Sequence, residues 1–230
     1  MSNSLFFMKI DKKSISYKIF PKHLRLLDLH NKSVIFQEFI VKKSKNVKIF
    51  SDNQRLEYFS FISKEVIGDK PIDYLEFGVY RGESIKAWSK LNKNPKSRFF
   101  GFDTFTGLPE DWNKRSPKGR FDTEGNIPKI EDTRIHFVKG LFQKTLYDFL
   151  KTFSPQSQLV IHLDADLYSS TLFCLAQLDK FLDSGTIILF DEFYDLQNEF
   201  LAFYDYLRSH NRNFKTIARV DWNQVAFELQ

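Results

Sequence analysis

A chain of 230 residues, at roughly 150 per domain, makes one full domain with a short extension, and 42% hydrophobic against 27% charged residues excludes a disordered tail protein. The single Cys174 excludes an intrachain disulfide, a zinc ribbon and a redox cysteine pair, and suits a reducing, cytoplasmic setting. The net charge of +5 gathers early, in Lys9, Lys12, Lys13, Lys18, Lys22, Arg25, Lys32, Lys42, Lys43, Lys45 and Lys48; with no zinc-finger or RNA-binding signature beside it, it reads as a solvated surface and not as a nucleic-acid face.

Residues 1–50 show no clear period. They mix apolar clusters (Leu5, Phe6 and Phe7; Ile15, Tyr17, Ile19 and Phe20) with lysines and read as an extension outside a main domain of residues 51–230. The start is charged too soon for a secretory signal, and no run approaches the roughly 18 apolar residues of a membrane span. A helix is predicted over 53–66, where Leu56, Phe59, Ile62 and Val66 recur at three-to-four spacing behind Ser51 or Asp52 as cap. A strand over 72–79 and a helix over 84–91 follow, then a short strand over 99–102 and a long loop over 104–129, rich in Gly, Pro and polar residues. Next come a strand over 135–138, a helix over 145–153, a strand over 159–163, a helix over 170–182, a strand over 186–190 and a helix over 198–209. Strands over 214–218 and 224–229 close the chain, and the short turn 219–223 pairs them antiparallel. Such alternation predicts an α/β fold: a doubly wound, mostly parallel sheet with helices on both faces, right-handed crossovers and a ligand outside the carboxyl ends of the strands.

Polar residues just past those strand ends are therefore the site candidates. The segment from Glu76 through Gly78, Tyr80 and Gly82 to Ser84 ends one strand and opens a helix, where free amide groups attract a carboxylate or phosphate. Tyr80 stands where the dinucleotide fingerprint needs its second glycine, so the stretch alone is equally well a tight strand–helix turn. Asp103 follows 21 residues after Gly82, at the next strand end, the place where a carboxylate accepts hydrogen bonds from ribose hydroxyls. Together these two features point to an adenosine-containing ligand. Asp164 and Asp166 lie two apart and would share a face of an extended chain, and Asp191 and Glu192 end the next strand. Four carboxylates in one small volume repel one another, and a hard divalent cation such as Mg²⁺ resolves that repulsion. His162 sits inside an apolar strand and reads as structural.

In this order, the segments 74–82, 101–109, 138–146, 163–171 and 191–193 resemble class I S-adenosylmethionine-dependent methyltransferases, in particular the macrocin-type O-methyltransferase family. Asp164-Ala165-Asp166-Leu167-Tyr168-Ser169-Ser170-Thr171 is the most distinctive stretch. The resemblance implies a seven-stranded sheet and a methyl transfer from S-adenosylmethionine to a hydroxyl of a sugar or sugar-containing small molecule. It further implies that Glu76, Gly78 and Gly82 hold the methionyl part of that cofactor, Asp103 its ribose, and Gly140 with Gln143 its adenine, with Tyr80, Ser84, Thr104 and Asp164 in the same cofactor set. Asp164, Asp191 and Glu192 would bind Mg²⁺, Glu192 standing where close relatives carry Asp, and Asp166 would be the general base. The acceptor pocket is expected from residues 1–50 and the loop 104–129, and the N-terminal apolar clusters suit a homodimer contact. A second reading is a metal-dependent glycosyltransferase holding a nucleotide sugar with Asp164-x-Asp166; such an enzyme does not need the upstream glycine turn and ribose acid. A third, a non-catalytic binding module, leaves clustered carboxylates as an uncompensated stability cost.

Overall fold

The computed structural model describes residues 15–41, 44, 47–221 and 223–230. The cluster Leu5, Phe6 and Phe7 and the basic residues Lys9, Lys12, Lys13, Lys42, Lys43 and Lys45 lie outside them. Among the described residues the strands are β1 (Lys48–Phe50), β2 (Ile72–Phe77), β3 (Arg98–Asp103), β4 (Ile135–Lys139), β5 (Gln158–Leu163), β6 (Ile187–Phe190), β7 (Phe214–Val220) and β8 (Gln224–Leu229). The helices are α1 (Ile15–Phe36), α2 (Arg55–Phe61), α3 (Glu83–Leu91), α4 (Phe142–Thr152), α5 (Tyr168–Leu178) and α6 (Glu199–Ser209). All strands join one sheet in the order β1-β7-β8-β6-β5-β2-β3-β4. Every neighbouring pair is parallel except β6–β8 and β7–β8, so β8 alone runs against the rest. The doubly wound architecture and the closing antiparallel hairpin are as expected; β1 adds an eighth strand at the edge, beyond the seven that the resemblance implied.

Because both faces of the sheet are covered, its central strands are continuously apolar, and parity assigns each side chain to a face. Leu75, Phe77, Ile161, Leu163, Ile188 and Phe190 pack with residues of α4, α5 and α6, where Phe193, Phe200, Phe203 and Phe227 fill the space between layers. Tyr74, Phe99, Val160, Ile187 and Leu189 meet Tyr58, Phe59, Ile62, Ile85 and Trp88 on the opposite face. Each fully buried phenylalanine contributes about 1.5–3 kcal/mol, which is what this Phe-rich composition supplies. Cys174 is buried in the first of these clusters, and burial pushes its thiol well up.

The predicted helix over 53–66 forms as a short turn, α2 and a wide turn over 62–67; Ser51 caps it, its backbone N–H donating to Gln54 Oε1 at 3.0 Å. Two elements within residues 1–50 escape the periodicity. Over the second half of α1, Leu26, Leu27 and Val34 stand exposed while Phe36 is buried against Phe200. In β1 only Phe50 of three residues is buried. The boundary drawn at residue 50 therefore cuts a segment that belongs to the sheet and its core. No helix among the described residues is long and apolar enough to cross a membrane.

At the opposite edge of the strands from the cavity described below, fully buried Asp73 accepts Arg98 Nε (2.7 Å) and Nη2 (2.9 Å) and the backbone N–H groups of Gln156 (2.6 Å) and Ser157 (3.1 Å), tying β2, β3 and the entry to β5. Asp73→Ala leaves four donors without their acceptor and should lower the unfolding free energy by about 3 kcal/mol in a denaturant titration.

Candidate active site

The strand order turns at β2 and β5: β3 and β4 lie to one side and β6 to the other, which opens a crevice at their carboxyl ends. The two backbones touch there. Asp164 N–H donates to Phe77 O at 2.9 Å, Gly78 takes φ +96°, and a Cβ on it would lie 1.8 Å from the Asp164 carbonyl oxygen. Only glycine fits, and it ends β2 two residues before the predicted strand would have stopped.

Above this contact is a cavity of about 250 Å³. Gly78, Tyr80, Asp103, Thr104 and Gln143 line one part of it, and Asp164, Asp166, Asp191 and Glu192 another. The structure thus brings nine of the sequence-selected residues together. Glu76, Gly82, Ser84 and Gly140 do not line it. Glu76 is buried on the α2–α3 face of β2. A Cβ on Gly82 would meet Pro128 and Ile130 at 3.1 Å, so that glycine serves close packing against the long loop. Ser84 lines a groove between α2 and α3. Gly140 N–H donates to Asp103 O at 2.8 Å and joins the ends of β3 and β4.

Asp103 is oriented by three amide groups: Oδ2 accepts from Val79 and Tyr80 at 2.8 Å each, and Oδ1 from Phe105 at 2.7 Å. Oδ1 keeps a further lone pair for a ligand hydroxyl, while Oδ2 is taken up by its two amides. The loop 104–129 is a fastened strap. Glu110 Oε1 accepts the Ser169 hydroxyl at 2.6 Å, Trp112 Nε1 donates to Asp195 Oδ2 at 2.8 Å, and Phe121 packs edge-on to Tyr80 at the cavity wall.

After β5 the chain is not extended. Asp166 has φ +59°, a conformation costing a non-glycine residue about 1–3 kcal/mol, so Asp164 and Asp166 reach one cavity through a turn and not by sharing a strand face. The carboxylates of Asp164, Asp166 and Glu192 accept no hydrogen bond among the described residues; Asp164 lies 3.7 Å from the Arg55 guanidinium. Burial first, and then neighbouring carboxylates, push Asp166 and Glu192 each up to about 7 and Asp164 well above the usual range. Asp191 differs. Its Oδ1 accepts Arg55 Nη2 at 2.5 Å and Gln224 Nε2 at 2.8 Å; burial raises its pKa, but His162 and Arg55 outweigh that and hold it below the usual range. Oxygens of Asp164 and Asp191 and a nitrogen of His162 lie within 4.8 Å of one another. Three undonated carboxylates beside a locked fourth are a donor set that a hard divalent cation fits.

Parity also explains a second tier that sequence reasoning missed. Tyr74, Glu76, His162, Asp191 and Gln224 all point to the face covered by α2 and α3, with Glu76 and His162 in direct register. Tyr74 OH donates to Glu76 Oε2 at 2.5 Å, so the Tyr74 oxygen is left to accept His162 Nδ1–H at 2.7 Å, while His162 Nε2 faces Asp191 Oδ1 at 3.7 Å. Burial lowers the His162 pKa, but Asp191 and Glu76 outweigh it and hold the ring at about 9. Glu76 Oε1 is buried with no partner among the described residues, an acceptor open to a cationic group. The period-two pattern of two neighbouring strands was the available signal for this row; Arg55 had none.

Residues 49–228 match the family model described as macrocin O-methyltransferase (TylF). A Streptomyces olivaceus protein described as 8-demethyl-8-(2,3-dimethoxy-alpha-L-rhamnosyl)-tetracenomycin-C 4'-O-methyltransferase is 26% identical over 162 residues, 61% of this chain. The chain matches about 60% of that relative's length. Two solved structures, the O-methyltransferase NovP and the calicheamicin methyltransferase CalS11, each align at 22% identity over 76% of this chain and 79% of theirs, with a TM-score of 0.59, and share the fold.

His162 makes the metal-free protein pH-sensitive. With its folded pKa raised from 6.5 to about 9, its contribution is complete below pH 6.5 and lost as pH rises through 9. The difference in unfolding midpoint between wild type and His162→Gln should narrow from pH 7 to 9.5 in thermal melts; a constant difference would mean a neutral ring.

Proposed function

Because the chain belongs to the macrocin O-methyltransferase (TylF) family, we propose that it moves a methyl group from S-adenosylmethionine to a hydroxyl of a sugar or sugar-containing small molecule, with Mg²⁺ as cofactor. The observation that carries this reading is the convergence of Gly78 and Asp103 with the undonated carboxylates of Asp164, Asp166 and Glu192 in one cavity. The rhamnosyl substrate in the name of the Streptomyces relative supports a sugar acceptor. Family membership removes the case for a glycosyltransferase, and the lone buried Cys174 fits a cytoplasmic setting.

In this reading Asp103 binds the ribose hydroxyls, Thr104 and Gln143 border the nucleoside, Gly78 and Tyr80 shape the floor at the methionyl end, and Glu76, which does not itself line the cavity, offers its unpartnered Oε1 to that end. Gly82, Ser84 and Gly140 act on the cofactor only through the backbone they position. Asp164, Asp191 and Glu192 hold the ion. When bound, S-adenosylmethionine supplies an activated methyl group and Mg²⁺ a charge that lowers the pKa of a nearby hydroxyl. Asp166, aimed into the cavity by its left-handed backbone and engaged by no donor, would take the hydroxyl proton as the acceptor oxygen gains the methyl group and the donor's carbon–sulfur bond breaks to leave S-adenosylhomocysteine. The strap and the aromatic pair Tyr80 and Phe121 limit water around that step.

Calorimetric titration should show binding of S-adenosylhomocysteine and none of nucleotide sugars as donors; the reverse would overturn the reading. A methyl-transfer screen over nucleotide-linked and polymeric sugars identifies the acceptor. Asp166→Asn should lower turnover by about 10²–10⁴-fold with S-adenosylhomocysteine affinity within about twofold. Chelator-treated enzyme that kept full activity on its true acceptor would remove Mg²⁺ from the scheme.

A further inference from the structure

Arg55 opens α2 and sends its guanidinium to the carboxylates of Asp191 and Asp164. Its Nη2 lies 2.5 Å from Asp191 Oδ1 and 3.7 Å from Asp164 Oδ2, and its carbon centre sits 5.3 Å from the Phe59 ring. The side chain is one-third exposed, while that of Asp191 is 14% exposed. Gln224 donates to the same Asp191 oxygen, so Oδ1 is committed twice and only Oδ2 is left uncommitted by these contacts. The guanidinium is itself incompletely used: Nε is buried with no acceptor among the described residues. This is single-pronged pairing, not the two-pronged fork by which arginine usually locks a carboxylate. Arginine keeps its charge at every working pH, so a positive charge is always present between two of the carboxylates assigned to the ion.

We propose that Arg55 is a resident cation of this acidic site that weakens divalent-ion binding, both by repulsion and by holding one oxygen of Asp191. The inference rests on the Mg²⁺ reading above and adds to it a residue outside the acidic set. Its sign follows from two facts. Asp191 keeps Gln224 as a donor and His162 Nε2 at 3.7 Å when Arg55 is gone, so the carboxylate stays in place. A unit charge a few ångströms from a doubly charged ion costs about tenfold in affinity even at the dielectric constant of water, and more in a half-buried cavity. Loss of repulsion therefore outweighs loss of orientation.

The test is Mn²⁺ binding to the full chain, followed by calorimetry and by the loss of free-ion paramagnetic signal, with S-adenosylhomocysteine binding as the check on folding. Arg55→Gln should bind Mn²⁺ about tenfold more tightly than wild type, and Arg55→Lys, which keeps the charge, should stay within about threefold of wild type. Arg55→Met, which keeps the packing over Phe59, replaces the glutamine variant if that one fails to fold. If wild type binds Mn²⁺ and the neutral variants bind equally or more weakly, Arg55 is an organiser of Asp191 and the proposal is overturned. If wild type and all variants bind S-adenosylhomocysteine but no Mn²⁺, the metal reading itself fails and takes this inference with it.

Discussion

Negative charge concentrated at the ends of β5 and β6 is the constraint around which this molecule is arranged. Parallel strands deliver Asp164 and Asp191 to neighbouring points, and the turns that follow add Asp166 and Glu192. The protein offsets only part of that charge. Arg55, Gln224 and the neighbouring ring of His162 secure Asp191, while the other three carboxylates are left without donors, burial pushing two of them up to about 7. A fold that needed only stability would bury leucines there. Retaining the repulsion makes sense when a cation and an acceptor hydroxyl complete the site.

Two tiers share this charge. The upper one faces the cavity and is made of residues after the strand ends. The lower one is buried within the sheet, runs from Tyr74 through Glu76 and His162 to Asp191, and is closed by Gln224 from the antiparallel strand. Asp191 on the cavity wall is thereby held by groups buried within the sheet, and Glu76, which does not line the cavity, keeps one buried oxygen without a partner among the described residues.

Much of this was legible in the sequence. Apolar runs bounded by turn residues located the seven strands β2 to β8, which form the sheet's interior and its far edge, and residues just past several of them line the cavity. Gly82, which the glycine turn marks, packs against the long loop, and Gly140, which the resemblance assigns to the adenine, joins the ends of β3 and β4; a glycine reports close backbone approach without saying what approaches. Ser84 was drawn in by adjacency alone. His162 was read as structural, and it is buried; its partners became visible only once register set Glu76 beside it. Arg55 lies more than a hundred residues from the acids it meets, and nothing local marks one arginine in a helix for such a role. The N-terminal elements were obscured for another reason: α1 exposes part of its apolar residues, and three residues of edge strand carry no period.

Register ties the core and the chemistry to the same count of residues. A single residue added within β5 would rotate His162 toward α5 and set Leu163 among the polar groups, burying an imidazole in a greasy layer and a hydrocarbon under the acids at once. Length variation and inserted tags are thus confined by geometry to the connections, and the strands of this sheet can change in composition far more freely than in length.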